Sequence, residues 1–255
     1  RQIGILAAIV VIGLIACRAR VITAGTKDFL AKLIFYVTLP SMLFTSFSAI
    51  EVTPRLLANS LQALLLAVMI MLFMLFAGWL TTVIFGIKGG HGSIFRLHSM
   101  LGNIIYLGLP VISAQFGQEG VLYGSIFVLV SNILMWTLGV GIITPAGSFS
   151  LKSGVRRIFN INTIAIISGF LLFLFSVKLP QFVLDTVGAL GKTNTYLSMI
   201  FIAAVMYFAD GRKMLRNRNA YLLSFNRLLL VPFILLGLFI LFNLLFPGIL
   251  RKEVV

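Results

Sequence analysis

The residues with the most chemical potential form one stretch, Gly102-Asn103-Ile104-Ile105-Tyr106-Leu107-Gly108-Leu109-Pro110, inside an apolar segment running from about Leu97 to Phe116. Two glycines and a proline weaken or break a helix there. In hydrocarbon an unpaired backbone group costs several kcal/mol, so a break at membrane depth survives only where protein or a watery cavity satisfies the freed groups. One reading is a binding-site break; the other is a mild kink packed on small residues, with no ligand. On the first reading Pro110 starts a second half-helix, whose free N–H groups and positive dipole end favour an anion. Asn103 either donates to a carboxylate or caps the broken backbone. Tyr106 offers an aromatic wall and one hydroxyl, and Gly108 loosens the turn before Pro110. Asn132, mid-span in Val130-Ser131-Asn132-Ile133, is either an interhelical hydrogen bond or a ligand group. Leu39-Pro40-Ser41 is a second kink candidate, and Gln115, Asn160, Asn162 and Asn194 lie nearer the ends of apolar runs.

Other chemistries lack their residues. Asp28, Glu51, Glu119, Asp185, Asp210 and Glu253 all fall at span ends or in connections, so no carboxylate pair forms a proton relay at depth. His91 and His98 have no third ligand nearby, so no metal site is expected, and no cofactor. No Ser/His/Asp grouping or HExxH stretch supplies a hydrolase, so the chain is not expected to be an enzyme. Lys32 and Arg227 most simply snorkel toward the cytoplasmic surface; the alternative is counter-charge for an anion.

The elements that must position these residues follow from composition. The 255 residues are 60% hydrophobic and only 10% charged, with a mean hydropathy of +1.11. A soluble domain carries about a quarter charged residues. Apolar runs of bilayer-crossing length recur along the chain, which makes it an all-α integral membrane protein in contact with the lipid bilayer. A barrel would alternate over segments of about ten residues, and these runs are continuous. The net charge of +14 comes from basic residues between apolar runs and not along one polar face. That pattern reads as membrane topology, and no nucleic-acid partner is expected. Cys17 is the only cysteine, so no intrachain disulfide forms. Leu14-Ile15-Ala16-Cys17 resembles a lipoprotein cleavage box, but Arg18 and Arg20 follow directly and argue for retention on the cytoplasmic side.

The spans read Ile3–Cys17, Phe29–Ile50, Leu56–Ile87, Leu97–Phe116, Val121–Thr144, Ile161–Val177, Leu190–Phe208 and Leu222–Phe246. Arg18, Arg20 and Lys27 follow the first; Lys88 and Arg96 the third; Lys152, Arg156 and Arg157 the fifth; Arg212, Lys213, Arg216 and Arg218 the seventh. The other connections hold mainly Arg55, Lys178, Arg251 and Lys252. The positive-inside rule then places the first connection in the cytoplasm and the N-terminus outside. The polar connections Pro145–Arg157 and Ala209–Asn219 read as short cytoplasmic loops, too short for a further domain.

The sequence offers a candidate repeat, the alternative being a chance match of apolar segments. Ile-Val-Val-Ile-Gly-Leu-Ile-Ala surrounds Gly13, and Ala-Ile-Ile-Ser-Gly-Phe-Leu-Leu surrounds Gly169. Each is followed, after separations equal within a residue, by Leu39-Pro40-Ser41-Met42-Leu43-Phe44 and Tyr196-Leu197-Ser198-Met199-Ile200-Phe201 respectively. Spans one to three then correspond to spans six to eight. A unit of five spans is odd, so the second copy is inverted, with the site where the copies meet. The chain divides into a first repeat at 1–144, a cytoplasmic connection at 145–160 and a partial second repeat at 161–255. The broken fourth span predicts a counterpart in a ninth, so a fragment lacking its start and its last two helices is expected.

At this point the residues resemble a known family. Lys32-Leu33-Ile34-Phe35-Tyr36-Val37-Thr38-Leu39-Pro40-Ser41-Met42-Leu43-Phe44, the Gly102–Pro110 stretch, and Phe116-Gly117-Gln118-Glu119-Gly120-Val121 are similar to bacterial members of the auxin efflux carrier family. Asn160-Ile161-Asn162-Thr163 is similar to that family's Asn-Pro start of the sixth span, with Ile in place of Pro. The resemblance implies ten helices in two inverted five-helix repeats, an architecture like that of sodium/proton antiporters and bile-acid symporters. It implies broken helices crossing at the midplane and transport of small organic anions, as in malate or malonate permeases. By position it puts Asn103 and Pro110 in the crossover, Asn132 at a polar fifth-helix position and Pro40–Phe44, with Ser41, on the second-helix wall. The expectation is a carrier for small organic carboxylates in a bacterial cytoplasmic membrane. The alternatives are a sodium-coupled symporter and a non-transporting sensor or scaffold. A homodimer stays open as the oligomeric state.

Overall fold

The computed structural model describes residues 2–48, 53–144, 156–175, 177, 179–209 and 217–245. Glu51, Lys152, Lys178, Asp210, Arg212, Lys213, Arg216, Arg251, Lys252, Glu253 and the end of the last apolar run at Phe246 lie outside the described residues. Among those described, every regular element is helical. Among the described residues, four helices are long and apolar enough to cross a membrane: Ala24–Phe47, Pro54–Ile84, Gly89–Ile143, which is 55 residues long and interrupted, and Arg218–Leu238.

In chain order, α1 is Gln2–Arg18. α2 is Ala24–Leu33, a wide turn at Ile34–Thr38, and Leu39–Ser48. α3 is Pro54–Ile84 and α4 is Gly89–Met100. α5 is Leu109–Leu134, preceded by a wide turn at Ile104–Gly108 and continued by another at Met135–Gly139 and by Val140–Ile143. α6 is Ile161–Leu174 and α7 is Gln181–Phe208. α8 is Arg218–Phe225, a wide turn at Asn226–Leu230, and Val231–Leu245. Gly117 lies inside α5 at φ 62°, ψ −146°, a backbone open mainly to glycine. α5 is therefore two helices, a short one ending at Phe116 and a long one after Gly117.

Three of these four wide turns have a common cause; the turn at Met135–Gly139 is followed by Val140 and Gly141 and lies outside it. In each of the three, an N–H bonds five residues back, as Leu39 N–H to Ile34 O, Leu109 N–H to Ile104 O and Val231 N–H to Asn226 O. The next residue is Pro40, Pro110 or Pro232. A proline has no N–H to give, and its ring strikes the carbonyl four residues back. Widening the turn before it moves that carbonyl away. Two of the three share the pattern Tyr-x-x-Leu-Pro, at Tyr36–Pro40 and Tyr106–Pro110.

The chain forms two compact units. The first is Arg1–Pro54, Asn103–Leu129 and Phe159–Ala209, and it is built around α2. Leu39 and Leu43 are fully buried and Phe47 nearly so. Phe47 sits edge-on to Phe170 of α6 at 5.8 Å. Three glycines let backbones approach, as membrane packing requires. A Cβ on Gly13 of α1 would lie 2.6 Å from Ala203 Cβ and 3.3 Å from Ile200 Cα of α7. One on Gly169 of α6 would lie 2.7 Å from Phe44 O, and one on Gly191 of α7 would lie 2.9 Å from Met42 Cα. Polar side chains close the seams. Thr38 Oγ1 donates to Asn194 Oδ1 at 3.0 Å, the Ser46 and Ser125 hydroxyls share a bond of 3.1 Å, and Gln118 Nε2 donates to Thr45 O at 3.0 Å.

The second unit is Arg55–Gly102, Val130–Ile158 and Asp210–Val255. Gly78 of α3 packs against Ser99 of α4, and Gly139 against Leu97. Arg96 Nε donates to Thr82 Oγ1 at 2.9 Å, and Asn226 Nδ2 to Thr81 Oγ1 at 3.0 Å. None of the described residues of this unit is acidic.

Candidate binding site at the broken helix

The fourth span breaks where its composition predicts, between α4 and α5. Leu101 takes an extended backbone, φ −93°, ψ 125°, after its N–H has closed the last α-turn on Leu97 O. Asn103 follows at φ −80°, ψ 64°. The second half starts at Ile104, not at Pro110. Asn103 caps it, its Oδ1 accepting from Tyr106 N–H at 3.2 Å. The Asn103 carbonyl accepts from Leu107 N–H at 3.2 Å and Gly108 N–H at 3.0 Å. The start shifts because Asn is among the strongest caps, worth about 1 kcal/mol, while Pro110 is accommodated one turn on by the wide turn. Pro110 is buried and Gly108 half-buried. A Cβ on Gly108 would meet only ordinary contacts, the nearest being Ile104 Cγ2 at 3.6 Å.

A helix leaves its first N–H groups without intrahelical partners. Asn103 takes that of Tyr106, which leaves Ile104 and Ile105 N–H as donors at the positive end of the half-helix. The Asn103 amide nitrogen adds a third donor on an exposed residue. Tyr106 forms a wall, its ring packed on Phe201 of α7 with centroids 4.6 Å apart. Such a pair is worth about 0.5–1.5 kcal/mol. The arrangement suits a carboxylate: three N–H donors at a half-helix start with an aromatic face beside them.

The remaining candidates lie elsewhere. On α2, Ser41 Oγ donates to Val37 O at 2.7 Å, so its hydroxyl is engaged within its own helix. Pro40 is buried, and the Phe44 backbone receives Gly169. Asn132 belongs to the second unit, where its Nδ2 donates to Ile158 O at 3.2 Å. Asn160 caps α6, accepting from Asn162 N–H and Thr163 N–H. Lys32 is exposed. Arg227 is not snorkelling: its Nη1 donates to His98 O at 3.0 Å and Leu101 O at 2.6 Å, the end of α4. Its cause is the demand of unpaired helix-end carbonyls, which a guanidinium satisfies. Asn194 is more central than its sequence position suggests. The apolar run starts at Leu190, but the helix starts at Gln181, which puts Asn194 mid-helix and fully buried.

A family model described as "Membrane transport protein" matches residues 2–250. No curated protein matches the chain.

Proposed function

The chain belongs to the membrane transport protein family, that of the auxin efflux carriers, and is thus a multi-pass transporter and not an enzyme; on that premise we propose that it carries small organic carboxylates. The observation that carries this reading is the broken helix, whose second half opens at Ile104 with Asn103 as its cap. A carboxylate takes the N–H donors of such an end well, since hydrogen bonds to an ionised acceptor are roughly twice as strong as neutral ones. Tyr106 gives the apolar part of the cargo a surface. Asn132, a mid-span amide, and Pro40, Ser41 and Phe44 enter the reading through their positions in the family resemblance. The proposed setting is a bacterial cytoplasmic membrane with the N-terminus outside.

The inverted repeat belongs to the same proposal. A two-fold axis requires reciprocal contacts between counterparts. Gly13 of α1 packs on Ile200 of α7, and its match Gly169 of α6 packs on Phe44 of α2. Matching Ser41 to Ser198 pairs Thr38 with Thr195, and Thr38 bonds Asn194, one residue away. Counterparts also fall in the same compact unit, α1 and α2 with α6 and α7 in one and α3 with α8 in the other.

The test is uptake of labelled malate and malonate by proteoliposomes carrying the full-length protein. Wild-type should take up anion, and Asn103→Ala at unchanged expression should lower uptake by about tenfold, the equivalent of 1.4 kcal/mol. Unaltered uptake rejects the role of Asn103. Ligand binding with no flux in wild-type supports the sensor reading instead.

A further inference from the structure

The two sides of a broken helix carry opposite partial charge. The last carbonyls of the first half have no intrahelical N–H and act together as about half a negative charge. In transporters with discontinuous helices, such carbonyl ends are where coupling cations are held. In this protein a side chain occupies that end. Arg227 Nη1 reaches both His98 O, at 3.0 Å, and Leu101 O, at 2.6 Å. Arg227 is half-buried, and none of the described residues of its unit is acidic, so its charge is met by carbonyl dipoles and not by an ion pair.

The backbone holds Arg227 in this position. It sits in the wide turn Asn226–Leu230, beside Asn226, which is 1% exposed and donates to Thr81 Oγ1 at 3.0 Å. That bond ties α8 to α3. α4 in turn is held on α3 by Gly78 against Ser99 and by Arg96 on Thr82. The backbone that carries Arg227 and the helix that carries the carbonyls are thus each tied to α3 by separate contacts.

We propose that Arg227 is a built-in counter-cation: it fills the carbonyl end of α4, and loss of its charge turns that end into a site for a free Na+. On the carrier reading above, on which this part rests, the anion then crosses without Na+ bound at α4. The sodium-coupled alternative would need those carbonyls free.

The experiment uses the full-length protein in detergent, as wild-type, Arg227→Gln and Arg227→Lys. Glutamine can still donate to the carbonyls but carries no charge; lysine keeps the charge without the fork. Melting is measured in choline chloride and in NaCl of equal ionic strength, with 22Na+ binding alongside. Wild-type and Arg227→Lys should melt alike in both salts. Arg227→Gln should melt lower in choline, rise by about 3 °C or more in NaCl, and bind 22Na+ saturably. Equal melting of Arg227→Gln in the two salts overturns the proposal, as does a wild-type Na+ shift as large as the variant's. An Arg227→Gln protein that folds in neither salt also overturns it, because a free cation then fails to replace the side chain. Malonate uptake is read separately: Na+-independent in wild-type, Na+-dependent in Arg227→Gln. Absent wild-type uptake in both salts rejects the carrier reading, while melting and 22Na+ binding still decide the role of Arg227.

Discussion

Gly169→Ala isolates the close approach on which the α2-centred unit depends. The added Cβ would lie 2.7 Å from Phe44 O, 3.2 Å from Phe44 Cα and 3.3 Å from Phe44 C. All three are backbone atoms, so no side chain can rotate away, and α6 must lift by about 0.7 Å to reach ordinary contact distance. Overpacking costs about 1–3 kcal/mol, and a backbone neighbour puts this site at the upper end. Alanine returns about 1 kcal/mol of helix propensity. The net loss is about 2 kcal/mol, or about 4–8 °C at 2–4 °C per kcal/mol. Gly237→Ala in α8 is the matched control, since nothing lies within 4 Å of its added Cβ. It keeps only the propensity gain, so the two variants should differ by about 3 kcal/mol, or about 6–12 °C. The assay is thermal melting of the purified protein followed by size-exclusion chromatography. If Gly169→Ala melts with Gly237→Ala, the α6–α2 contact is not the tight seam its geometry indicates.

Thr38→Val leaves Asn194 Oδ1 buried without its donor and should cost about 1–3 kcal/mol of stability, whereas Thr38→Val with Asn194→Leu should recover part of that loss; equal melting of single and double variants refutes the coupling. Tyr106→Leu removes the ring packed on Phe201 and should raise KM for anion uptake, while Tyr106→Phe, which keeps the ring, should leave KM within about twofold; equal KM for all three denies Tyr106 a place beside the cargo. A reporter fused at Ser150 should be reached only from the cytoplasm, and access from outside reverses the proposed orientation.

The spans were readable because their signal is one-dimensional. Runs of apolar residues mark α1, α3, α6 and α8 to within four residues at their described ends, while α2 begins at Ala24, five residues before the run at Phe29. The errors came where helix and hydrophobicity part company. α4 begins at Gly89, eight residues before the apolar run at Leu97, since Gly-Gly-His-Gly looks like a loop. α7 begins at Gln181 because Pro180 is already shaped to start it, although Asp185, Thr186 and Gly188 interrupt the hydropathy. That offset hid Asn194. The break between Gly102 and Pro110 was visible in composition, but which residue opens the second half was not. Asn103 and Pro110 compete for that place, and only backbone geometry decides between a side-chain cap and a missing N–H. Arg227 was hidden for another reason: a cation paired with carbonyls leaves no partner for a sequence to display.

Each wide turn also carries a consequence for how sequences of this family change with time. It holds one residue more than an α-turn, and each residue of an α-helix advances the facing direction by about 100°. After Thr38, Gly108, Gly139 and Leu230 the downstream helix therefore presents a face rotated from the one its upstream residues would project. A wide turn is what a single-residue insertion looks like once a helix has absorbed it. At the three turns that precede Pro40, Pro110 and Pro232, relatives that lack the proline are the ones free to shed that residue. In them the downstream apolar pattern should be out of step by one position with Leu39–Ser48, Leu109–Leu134 or Val231–Leu245.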